Sequence, residues 1–258
     1  MGQALVEATL GASDLALTGA LDLPRSPAIG ADAGERCGRS TGIHVVSDVE
    51  EVVGVSDVLI DFTRPDGTLA HLAACRRAGV AAVVGTTGID AAGKAEIAEH
   101  ARVIPIVFAP NMSVGVNVLA DLVRRAAGLL GPAFDIEIVE MHHRHKVDAP
   151  SGTALALGEA AAAGAGVALA EHAVYAREGV TGERKPGTIG FATLRGGDVV
   201  GEHSVVFAGA GERLELTHRA TSRQNFAAGA LRAARFVAVK RANGQVGLFG
   251  MADVLGLA

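Results

Sequence analysis

The chain has 258 residues, 49% of them hydrophobic and 20% charged, with a net charge of -5. That balance excludes an intrinsically disordered chain, and the length suits one large domain or two modest ones. A mild negative charge, with no basic run longer than Arg76-Arg77 or Arg124-Arg125, excludes the footprint of a nucleic-acid binder, and no apolar stretch reaches the roughly 20 residues that span a bilayer. The two cysteines, Cys37 and Cys75, make neither a disulfide framework nor a zinc site and read as ordinary buried thiols. No Lys or Arg precedes Arg25 to form a signal-peptide n-region, so the expected location is the cytoplasm and the expected partner a small molecule.

From residue 15 to 110, β-branched runs alternate with helical patterns. Strands are expected at 15–22, 43–46, 57–62, 81–84 and 103–108, and helices at 65–78 and 90–101, the first closed by Gly79. This is the rhythm of a doubly wound parallel sheet. After Pro110 a helix over 114–130 leads to a strand over 134–141, a cluster of His and Lys, and a second helix starting near Ser151. Runs at 188–194, 199–207 and 213–218, separated by Gly-rich turns, suggest an open mixed or antiparallel sheet. The last amphipathic helix, 225–241, can return to cover the first domain. The expected division is a dinucleotide-binding domain over 1–112 and 223–258 and a substrate-binding and oligomerisation domain over 113–222.

The start is unusual for such a fold. A dinucleotide-binding domain opens with a central strand, a Gly-rich turn and a helix whose N-terminus holds the pyrophosphate. Here residues 2–10 already read as that helix, and Asp22 closes the next strand where such folds hold the ribose hydroxyls. The first strand and most of the phosphate loop are therefore expected to lie upstream of the recorded Met1.

Three of the nine histidines and one of the four lysines fall in His142-His143-Arg144-His145-Lys146, directly before Asp148-Ala-Pro-Ser-Gly-Thr-Ala154. Together with Gly85-Thr86-Thr87-Gly88, Ala109-Pro-Asn-Met-Ser-Val-Gly115, Gly187-Thr-Ile-Gly-Phe-Ala192, Asp61-Phe-Thr-Arg-Pro65 and Arg177-Glu-Gly-Val-Thr-Gly-Glu-Arg184, this closely resembles the 4-hydroxy-tetrahydrodipicolinate reductases, long called dihydrodipicolinate reductases. The resemblance runs from Met1 to the C-terminus. It implies a two-domain enzyme, usually a homotetramer, of the diaminopimelate route to lysine, reducing a cyclic unsaturated dicarboxylate with NADH or NADPH. A hydride added to a conjugated C=C–C=N system leaves negative charge that must be protonated, which calls for a donor with a pKa near neutrality.

By that resemblance His142 is the acid/base and Lys146 the assisting proton donor, while His143, Gly152 and Thr153 bind substrate. Met1, Asp22, Gly85, Thr86, Thr87, Ala109, Pro110, Asn111 and Met112 are the expected cofactor contacts; Asp61 and Phe62 are left outside the site. A lone Ser-Gly-Thr is more often a plain helix cap, and a lone Gly-Thr-Thr a plain turn. Asp22 followed by Leu23 favours NADH, because the acid repels a 2'-phosphate and no arginine stands next to it. No metal is expected, since Lys146 would repel a cation at His143-x-His145. Two rival readings are a cofactor-deficient substrate-binding homologue and a metal-dependent hydrolase using His142, His143 and His145.

Overall fold

The computed structural model describes residues 1–257, which divide into two compact units: residues 1–114 together with the chain from Gln224 onward, and Gly115–Arg223. In the first unit the order is α1 (Gly2–Gly11), β1 (Ala20–Leu21), β2 (Val45–Val46), α2 (Val49–Val53), β3 (Val58–Asp61), α3 (Pro65–Ala78), β4 (Ala81–Val84), α4 (Ala91–Ala101) and β5 (Pro105–Phe108). Local chemistry sets the helix ends. The Asp48 and Asp90 side chains accept from the backbone N–H groups of Glu50 and Gly93, and α3 opens with Pro65 and closes on Gly79 at φ 67°. All four β4 residues are buried, as expected of a strand covered on both faces.

The second unit begins inside α5 (Val114–Leu130), at Gly115, and continues through β6 (Asp135–His142), α6 (Gly152–Ala165), α7 (Leu169–His172), β7 (Ala173–Val174), β8 (Ile189–Arg195), β9 (Gly201–Gly209) and β10 (Glu212–Ala220). Its sheet has the order β10-β9-β6-β8-β7 and is mixed: β6 runs antiparallel to β9 and parallel to β8. Leu119 and Val123 of α5 and Leu157 of α6 pack with Ile136, Ile138, Phe191, Val205 and Phe207 of the sheet into one core.

The chain then re-enters the first unit as α8 (Gln224–Ala242), β11 (Gly247–Phe249) and α9 (Met251–Leu255). β11 adds parallel to β5, giving the sheet order β11-β5-β4-β3. Leu5 of α1 and Ala227, Ala230, Leu231 and Val237 of α8 share a core with Val83 and Val107. Helix α8 sits close because Gly229 has no side chain: a Cβ there would lie 1.7 Å from the Met112 carbonyl oxygen.

The α/β class with a parallel sheet and a second mixed sheet is as expected, and the differences are local. The strand read at 15–22 is only Ala20–Leu21, because β1 pairs with β2 over two residues in a separate two-stranded sheet and the preceding residues make no ladder. The strand at 43–46 shortens to Val45–Val46. Before it the chain winds around Asp32, whose carboxylate accepts from Gly34, Thr41 and Gly42. Cys37 is only partly buried, contrary to expectation, since it closes a short turn; Cys75 is fully buried in the α3 core. Elements α2, α7, β7, β11 and α9 were not foreseen: each is five residues or fewer, too short for a periodic signal.

Candidate active site

Strand β6 builds the centre of the second unit's site. Ile136, Ile138, Glu140 and His142 alternate onto its buried face, so two ionisable groups continue a stripe that starts as apolar core. Burial works to raise the Glu140 carboxyl, but its donors outweigh that and hold it below the ordinary carboxylate range. Arg195 of β8 forks onto it, 2.8 Å to Oε2 and 2.9 Å to Oε1. The Ser151 N–H reaches Oε1 at 3.1 Å and the Thr193 hydroxyl at 3.3 Å. His142 Nδ1 lies 2.6 Å from Oε2. Burial pushes the His142 imidazole below its usual value, Glu140 opposing.

On β9, His203 stands edge-on to His142 with ring centroids 5.1 Å apart. Its Nε2 is 2.9 Å from the Ser151 hydroxyl, which also caps α6 by accepting from the Ala154 N–H. Burial, reinforced by His142, holds His203 at about 4, so its ring is neutral near pH 7.

β6 ends at His142 and the chain turns at once, with the Lys146 N–H donating to the His143 carbonyl at 3.1 Å. The turn breaks the strand alternation that would have paired His143 with His145 on one face. Their rings are 6.2 Å apart, and both side chains reach solvent to different degrees. The Lys146 ammonium donates to both Asp148 oxygens, at 2.7 and 2.9 Å, and that contact lowers the Asp148 carboxyl. Gly152, exposed, and Thr153, half-buried, form the first turn of α6, where backbone N–H groups point outward and the helix dipole is positive. The structure thus gathers His142, His143, Lys146, Gly152 and Thr153 within one strand end, one turn and one helix start. Among the described residues no three potential metal ligands come together.

The first unit holds the other expected residues at the carboxyl ends of its parallel strands, the edge where open α/β sheets bind ligands. Gly85 and Thr86 follow β4 and are buried, whereas Thr87 and Gly88 are exposed. Gly85 is pressed against Phe62, where a Cβ would lie 2.4 Å from the ring. Ala109, Pro110, Asn111 and Met112 follow β5, and the Asn111 side chain accepts from the Ser113 N–H. Asp22, just past β1, is exposed and accepts from the Leu23 N–H and the Ser26 hydroxyl. Met1 is the N-cap of α1 and makes no side-chain cap bond. A helix N-terminus, an exposed acid just past a strand and small residues at strand ends are the kinds of group by which open α/β sheets hold dinucleotides.

A parallel α/β unit with these edge loops and a mixed-sheet unit carrying an anchored imidazole define a nucleotide-dependent oxidoreductase class. The family "Dihydrodipicolinate reductase, N-terminus" matches residues 1–112, and "Dihydrodipicolinate reductase, C-terminus" matches residues 115–255. The chain belongs to the dihydrodipicolinate reductase family. It is 59% identical over 257 residues to the 4-hydroxy-tetrahydrodipicolinate reductase of Cupriavidus necator, covering 100% of this chain and 96% of that one. The reductase of Dechloromonas aromatica is likewise 59% identical, with 100% and 94% covered. A dipicolinate-bound dihydrodipicolinate reductase from Paenisporosarcina sp. TG-14 superposes with a TM-score of 0.73 at 25% identity, over 98% of this chain and 94% of that one.

Sequence reasoning left Glu140, Arg195 and His203 outside the site and read Ser151 only as the start of a helix. One signal for Glu140 was present: an acid in the apolar register of β6 needs a buried partner. Arg195 carries no such mark, because only the β6–β8 register sets it opposite His142.

Proposed function

We propose that this chain reduces 4-hydroxy-tetrahydrodipicolinate, by way of dihydrodipicolinate, to tetrahydrodipicolinate in the diaminopimelate route to lysine, the activity named for its relatives. The observation that carries the reading is His142, buried beside an ionised Glu140 and followed within four residues by Lys146, next to the first turn of α6. When bound, a nicotinamide nucleotide supplies the hydride. His142 then holds the proton that neutralises the developing negative charge, and Lys146 assists, its ammonium oriented by Asp148. Gly152 and Thr153 offer N–H groups to a substrate carboxylate, and His143 completes that contact.

On the nucleotide side, the α1 N-terminus takes the pyrophosphate, with Met1 and Gly2 at its start, and Asp22 takes the adenosine ribose. The backbones of Gly85, Thr86 and Thr87 and of Ala109, Pro110, Asn111 and Met112 flank the nicotinamide. Asp22 beside Leu23 supports a preference for NADH, and of the two arginines able to take a 2'-phosphate, Arg25 and Arg39, the second donates instead to the Leu10 carbonyl at 2.6 Å. A homotetramer is the proposed assembly. In support, α5 and α6 cover one face of the mixed sheet, while the other carries the partly exposed Val139 and Val206. The proposed compartment is the cytoplasm; no helix among the described residues is long and apolar enough to cross a membrane.

The test is NADH oxidation, followed by its absorbance, with freshly generated 4-hydroxy-tetrahydrodipicolinate, beside His142→Gln and Lys146→Ala. Turnover that collapses in both variants supports the assignment. Absent turnover together with absent NADH binding would favour the cofactor-deficient homologue.

A further inference from the structure

We propose that Glu140 is a positioning residue for the reaction: it fixes His142 with its ring proton on Nδ1 and so leaves Nε2 as the only atom that exchanges a proton with the substrate. This rests on the acid/base reading of His142 above. The argument begins with donors. The five contacts on Glu140 come from Arg195 twice, the Ser151 N–H, the Thr193 hydroxyl and His142. A proton on either carboxyl oxygen would have to displace one of those donors, so the carboxyl is ionised and can only accept. The 2.6 Å contact therefore requires Nδ1–H on His142, and the tautomer is set.

Nε2 is left open by the neighbouring strand. A Cβ at position 201 would lie 2.9 Å from Nε2, and Gly201 has none. The other imidazole in ring contact, His203, has its Nε2 engaged by Ser151 and does not compete for the proton. The ionisable groups facing His142 are Glu140 on β6, Lys146 in the turn after it, Arg195 on β8 and His203 on β9. Glu140 stabilises the imidazolium; burial, Lys146 and Arg195 oppose it, and His203, neutral near pH 7, adds no charge.

In the proton transfer the Nε2–H bond breaks, its electron pair stays on nitrogen, and a new bond to hydrogen forms on the substrate. His142 returns to the neutral Nδ1–H form. Glu140 keeps its charge throughout and takes no proton. Its effect is to raise the population of correctly protonated His142 against the burial that depresses it, and to hold the ring still while Nε2 reacts.

The experiment joins spectroscopy and kinetics on the full chain. With 15N-histidine labelling, two-bond 15N–1H correlations at pH 8 should show His142 of the unmutated protein as the Nδ1–H tautomer, a readout that needs no variant. Glu140→Gln keeps the shape but removes the charge. It should lower kcat at neutral pH at least about tenfold, move the pH-profile limb assigned to His142 about one unit lower or more, and leave the KM for NADH within about twofold. Glu140→Asp should restore the limb towards its original position. A purely structural role would cost stability without moving the limb or the tautomer. An Nε2–H tautomer in the unmutated protein, or an unshifted limb in Glu140→Gln, overturns the inference. A His142→Gln variant that still turns over would instead overturn the acid/base reading beneath it, so the two failures are distinguishable.

Discussion

Asp61 of the first unit and Glu140 of the mixed-sheet unit share their outward features: both are carboxylates near the C-terminal ends of strands, 3% and 1% exposed, each within 2.7 Å of a histidine nitrogen. Their remaining partners separate them. Asp61 is caged by the hydroxyls of Thr63, Thr68 and Thr86, the Thr63 N–H and His71. It ties the end of β3 to α3 and to the loop after β4, and what it shapes is backbone, including the Gly85–Thr87 segment. Glu140 is neutralised by a guanidinium fork and orients a single side chain, His142. A cage made mostly of threonine hydroxyls suits a carboxylate that holds a scaffold, whereas a guanidinium fork suits one whose charge acts on a neighbour's protonation.

The sharpest way to break this contrast is His142→Gln, which should lower kcat by about 10²- to 10⁴-fold while NADH binding, followed by fluorescence, changes less than about twofold. Next comes Arg195→Ala, which leaves Glu140 buried without its main counter-charge and should cost about 3 to 5 kcal/mol in urea unfolding. His71→Ala should cost only about 1 to 2 kcal/mol, because four donors to Asp61 remain. Equal losses would erase the distinction between the two sites.

Acid should weaken the second unit first. His203 sits at about 4, below its ordinary 6.5. The unfolded chain therefore binds that proton first, and the stability from keeping the ring neutral is present above pH 6.5 and lost as the pH falls towards 4, by about 3 kcal/mol. His142 is lowered too and adds to the same loss. Asp61 and Glu140 are both held below the carboxylate range, so their contribution is present above that range and disappears only as the pH falls through their lowered values. Urea midpoints measured from pH 8 to 3 should show a decline starting near 6.5; a flat curve down to pH 5 would contradict neutral burial of His203. The smallest effect is expected for Gly201→Ala, whose Cβ would press the His142 ring at Nε2, costing about 1 kcal/mol and several-fold in kcat.

Most of the regular elements were legible because their signals are local. Helix α3 carries Pro65 at its start and Gly79 past its end, α5 has an unbroken helical period, and β4 is a four-residue apolar run. The site was legible in part through its dense cluster, His142 to Lys146 followed by Pro-Ser-Gly-Thr. Strand β11 escaped notice because three residues hold no period, and it exists only because β5 offers a free ladder edge.

The sequence by itself determined which residues are chemically able to act, since a run of three histidines and a lysine before a helix cap is a matter of composition and spacing. The tertiary structure alone decided how they act. Arg195 is 55 residues from Glu140 in the chain and His203 is 52 from Ser151, yet sheet register brings each pair into contact. Protonation and tautomer depend on charge and burial within a few ångströms, and only the packed sheet sets those distances.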